Sequence, residues 1–172
     1  MKPHHYTALL TALMLSASPS PAQTPEQKPQ PPNAAVARRA TDVTIRATII
    51  ALPNDEATQF SVMQALRGKP SDALSELEKL VAQKKATSVA NLALTTTSGE
   101  RGVSESGQIT LEVNPVASPN EKTMRIDLAL NNNGNTIRTS VAAGNGDVKF
   151  LGSVLSPTDK TMTEFVFMRV SY

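Results

Sequence analysis

Four carboxylates, Glu105, Glu112, Asp127 and Glu164, lie in the patterned part of the chain, together with the cations Arg46 and Arg125. These are the side chains on which proton transfer or ion pairing could rest. General acid–base work needs such groups held within hydrogen-bond reach of one reacting site. Nothing in the spacing of the four converges them, so no catalytic residue is assigned. Alternation at period two puts Arg125 and Asp127 on one strand face, and Thr44 and Arg46 on another. Cross-strand surface pairs worth little are the expectation there. Other reactive side chains are scarce. Both histidines, His4 and His5, are near the N-terminus, and the chain has no Cys and no Trp. Beyond that terminus, triads, thiol nucleophiles and zinc sites built on imidazole or thiolate are ruled out. The residues read as those of a protein that is not an enzyme, with no cofactor and no metal.

With 172 residues, the chain has room for one modest domain once terminal segments are set aside. Residues 1–22 read as a secretory signal peptide. Lys2 with the two histidines gives a polar start, Ala8 to Leu15 an apolar run, and Ser20-Pro21-Ala22 a small-residue cleavage site before Gln23. That run is too short and too interrupted by Thr and Ser to span a membrane. The expected localisation is therefore export, to the periplasm or in association with the outer membrane. Residues 23–40 are rich in Pro and Gln and lack apolar periodicity, the composition of a disordered linker. Residues 41–172 are then the single folded domain. Lys and Arg number 17 against 15 Asp and Glu, a formal net charge of +2, with no basic cluster. Nucleic acid is not an expected partner. Without Cys, an exported chain is held together by packing alone.

The first strand is expected over Val43 to Leu52. Val43, Ile45, Ala47 and Ile49 share one face, with Thr44, Arg46 and Thr48 opposite, and Ile50 and Leu52 turn that second face apolar towards its end, which predicts cover on both sides for part of the strand. Residues 55–67 leave a short helix open. After the break at Gly68-Lys69-Pro70, Ser71 or Asp72 should cap a helix running to about Lys85. Its apolar stripe is Ala73, Leu74, Leu77, Leu80 and Val81. A strand over Thr87 to Thr97 ends at Ser98-Gly99, and a loop containing Gly102 and Gly107 follows. The last third alternates in four segments, GQITLEVNP, KTMRIDLAL, NTIRTSVAAGNGDVKFLGSVL and TMTEFVFMRV, separated by Asn- and Gly-rich turns. Phe165 and Phe167 fall on one face of the final segment, with Val166, Met168 and Val170 on the other. That pattern predicts a central strand buried on both sides. The expected fold class is α+β, a mainly antiparallel β-sheet with one amphipathic helix packed on it.

In order and wording these segments resemble the core domain of the bacterial secretins, the ring-forming outer-membrane channels of type II and III secretion systems. Val43 to Ile49 stands where the opening strand would be, Leu74 to Gln83 at the helix, and Val89 to Gly99 at the next strand and its T-x-x-G turn. Gly107 to Pro115 is the closest match, to a G-x-x-L-x-V-x-P strand, and Met124 to Leu130 follows it. Val148 to Leu155, with Gly152-Ser153 where two glycines would stand, resembles a Gly-rich hairpin end. Glu164 to Val170 is similar to the final strand. Three parts of the family pattern are shortened. Only Pro53 to Pro70 and Glu100 to Ser106 occupy the places of the two gate-forming insertions, and only Val154 to Lys160 that of the membrane-associated segment. The resemblance implies an exported structural protein, a reduced subunit or accessory of an outer-membrane protein secretion complex. Its partners would be copies of itself, joined by strand pairing, or envelope secretion proteins. Membrane association remains open, with no transmembrane helix beyond the leader. The alternative is a stand-alone soluble periplasmic or secreted binding module with no channel role.

Overall fold

A computed structural model describes residues 41–118 and 122–172. The signal peptide expected over 1–22 and the linker expected over 23–40 lie outside the described residues. Among those described, the elements run β1 (Asp42–Pro53), α1 (Glu56–Leu66), α2 (Pro70–Ala82), β2 (Thr87–Thr97), β3 (Gly102–Ser106), β4 (Ile109–Ala117), β5 (Met124–Asn132), β6 (Asn135–Ala143), β7 (Val148–Leu155) and β8 (Met162–Ser171). The strands form two four-stranded antiparallel sheets, ordered β2-β1-β8-β7 and β3-β4-β5-β6. The antiparallel character expected from the sequence is present, but one sheet has become two and one helix has become two. A strand that is apolar on one face must bury it, and the second sheet supplies the cover.

The core between the sheets comes from period-two alternation on both sides. Val43, Ile45, Ala47 and Ile49 of β1 and Val166, Met168 and Val170 of β8 meet Ile109, Leu111 and Val113 of β4 and Met124, Ile126, Leu128 and Leu130 of β5. The other faces of β1 and β8 carry Ile50, Leu52, Phe165 and Phe167, which pack under Val62 of α1 and Ala73, Leu74, Leu77 and Leu80 of α2. Strand β8 is thus buried on two faces over Glu164 to Met168 and β1 over Ile49 to Leu52, while Arg46 and Arg169 on the helix side stay exposed. Fully burying side chains of this size stabilises by about 1.5–3 kcal/mol each. The molecule is layered as helices, helix-covered sheet and open sheet.

Four local expectations change. Helix α2 begins at Pro70, whose fixed φ suits the first turn, and neither Ser71 nor Asp72 caps it. The helix stops at Ala82, three residues short of Lys85, because Lys84 turns into left-handed backbone at φ 59°. The Lys85 amide then donates to the Leu80 carbonyl at 2.9 Å and the Lys84 amide to Val81 at 3.0 Å, the two bonds of a Schellman closure. The stretch read as a loop before Gly107 is strand β3, which pairs with β4 through a tight turn at Gly107, φ 61°. Finally, the long segment from Asn135 divides between sheets. Its Gly144–Asp147 turn carries the chain from β6 across to β7, and the Gly146 amide bonds the Val170 carbonyl at 2.8 Å.

Candidate functional site

The open sheet has one polar outer face. Register sets Glu112 of β4, Ala129 of β5 and Arg138 of β6 in one row, and Asn114, Asp127 and Ser140 in the next. The small side chain of Ala129 leaves a floor between Glu112 and Arg138. Over it lies a groove of about 600 Å³, lined in part by Arg101, Glu112, Asn114, Asp127, Arg138 and Ser140. A smaller extension of about 220 Å³ continues over Thr110, Asn131 and Thr136. Period-two alternation on three neighbouring strands gathers all of these side chains except Arg101.

Most of the charges in the groove are already engaged. Arg101, from the connection between β2 and β3, reaches the Glu112 carboxylate at 2.6 Å. Arg125 donates to Asp127 at 3.0 Å. The Ser140 hydroxyl holds the Asp127 carboxyl below the ordinary carboxylate range, and Arg125 adds to that effect. A carboxylate held ionised in this way is an acceptor and a charge, not a proton donor near neutral pH. Arg138 has no carboxylate at ion-pairing distance among the described residues. The side-chain oxygen of Asn114 is buried with no hydrogen-bond partner among them. An exposed guanidinium with no such carboxylate among the described residues suits recognition of an acceptor group on a partner.

The four carboxylates of the sequence reading are placed unequally. Glu112 and Asp127 are diagonal neighbours on this face, and Glu105 sits at its margin opposite Thr110. Glu164 is elsewhere, fully buried between the sheets, where the Asn132 side-chain amide donates to it. The expected cross-strand ion pairs take another form. Arg125 and Asp127 pair along one strand, and Arg46 faces Arg169 across strands, a like charge. Arg101, Asn114, Arg138 and Ser140 were missed by sequence reasoning. The alternation that marks Glu112 and Asp127 also marks Asn114, Arg138 and Ser140, once the register between strands is known. Among the described residues no three His, Cys, Asp or Glu side chains gather to hold a metal ion. No family model matches the chain, and no curated protein matches it either.

Proposed function

We propose that this chain is an exported secretin-like structural protein, a reduced subunit or accessory of an outer-membrane secretion complex. One observation carries the reading: the order of elements. Strand β1, helix α2 and strands β2, β4, β5, β7 and β8 fall in sequence on the segments that resemble the secretin core. The outer faces favour a scaffold over a lipid-facing wall. One lies beneath α1 and α2, and the other is lined by Thr, Asn, Arg, Asp and Glu. A strand wall in lipid needs an outward apolar band about 25 Å tall. Among the described residues no helix is long and apolar enough to cross a membrane. Electrophoresis of the purified chain before and after heating tests the reading. Subunit contacts that survive detergent until heated support it, and migration as a single subunit at every temperature contradicts it.

A second reading, a stand-alone soluble binding module in the periplasm or medium, is favoured by the polar groove. The exposed Arg138 guanidinium, which has no carboxylate at ion-pairing distance among the described residues, is a group an anionic ligand would satisfy.

A further inference from the structure

The helices cover only part of the first sheet. They lie on Ile50, Leu52, Phe165 and Phe167, while farther along the same face Arg46 of β1 and Arg169 of β8 are exposed. Register places these two arginines directly opposite each other on the two central strands. Cross-strand neighbours have Cβ atoms about 5 Å apart, and like charges at that spacing repel. Among the described residues neither guanidinium has a carboxylate at ion-pairing distance. A fold that keeps two unpaired cations side by side gains from an anion between them.

We propose that Arg46 and Arg169 form a binding site for a phosphate-type oxyanion. The cleft they line beside α2 has a volume of about 90 Å³, and Thr48, Asn91 and Glu78 supply its other polar side chains. That space is ample for one tetrahedral oxyanion. Each guanidinium offers five N–H donors in a planar fork, and bridging two forks would use all of the roughly four lone-pair sites of one carboxylate. A phosphate group presents enough oxygens for both, with the Thr48 hydroxyl and the Asn91 amide as further donors. Its second negative charge offsets the repulsion between the arginines. Glu78 opposes any anion in the cleft and limits its affinity.

The phosphate group could be a free ion or the head of an anionic lipid, and the test separates these. The full chain is titrated with inorganic phosphate by calorimetry and, separately, with vesicles of phosphatidic acid in phosphatidylcholine against phosphatidylcholine alone. Saturable binding of inorganic phosphate assigns the free ion; binding only to the phosphatidic acid vesicles assigns the headgroup. In either case Arg46→Ala and Arg169→Ala should each weaken binding at least about tenfold, and Glu78→Gln should tighten it about threefold. Each arginine variant removes one of two repelling charges, so its melting temperature should not drop. No binding to either probe, or unchanged affinity in both arginine variants, overturns the proposal.

Discussion

The Asn114 side-chain oxygen is buried on β4 without a hydrogen-bond partner among the described residues. A buried acceptor left unpaired costs about 1–3 kcal/mol. Asn114→Ala should therefore leave stability unchanged or raise it by about 1 kcal/mol, read from urea unfolding midpoints. A clear loss would mean that the oxygen has a partner in solution. A second residue-scale effect concerns acid. Asp127, Asp147 and Asp159 are all held below the ordinary carboxylate value of about 3.9. The causes are, in order of strength, the Ser140 hydroxyl and Arg125 for Asp127, the Gly144 amide and Lys149 for Asp147, and the Thr161 hydroxyl and amide for Asp159. A folded value below the unfolded one stabilises the native state above the unfolded value, and that gain is lost as pH falls through the folded value. The unfolding midpoint is expected to stay level from about pH 7 to pH 5 and to drop below about pH 4. Asp147→Asn should lower the neutral midpoint and flatten the drop. A midpoint that rises on acidification would contradict this.

At the scale of elements, the end of α2 is the clearest place to intervene. Lys84 closes the helix in left-handed backbone, where an L side chain crowds the following carbonyl and costs about 1–2 kcal/mol. Glycine has no such penalty but gives up more freedom on folding. Lys84→Gly should stabilise by about 1 kcal/mol, visible as a melting temperature a few degrees higher; a lower one would show that the Lys84 side chain holds the turn. The stop itself was not legible in the sequence, because helix-ending signals favour Gly or Asn at that position and the chain has Lys. Other turns were legible for the complementary reason. Asn133 and Gly134 carry φ of 48° and 91° in the two-residue β5–β6 hairpin loop, the residue types such a turn demands. Strand β3 escaped notice because five residues hold too little alternation to distinguish from a loop. Its close approach to β2 left a trace in Gly102, where an added Cβ would lie 2.7 Å from a methyl carbon of Leu94.

Across the whole molecule, alternation told which residues face inward but not which strand each would meet. The burial of β8 on both sides could be read from Phe165 and Phe167 against Val166, Met168 and Val170, since each face is apolar by itself. Division into two sheets could not, because β1 pairs with β2 and with β8, more than a hundred residues later, and register at that separation leaves no local mark. The groove on the open sheet was hidden by the same gap, its rows being assembled from three strands. The polar outer face and the helix-covered one together favour the proposed reading, a water-facing β scaffold that assembles with copies of itself. The measurement that tests this most directly is the mass of the full chain in solution, with and without detergent, followed by imaging of any large species. A detergent-independent assembly many times the 18.3 kDa of one chain, ring-shaped or arc-shaped in images, is the expected result. A monodisperse 18.3 kDa monomer under both conditions and at every concentration would contradict it.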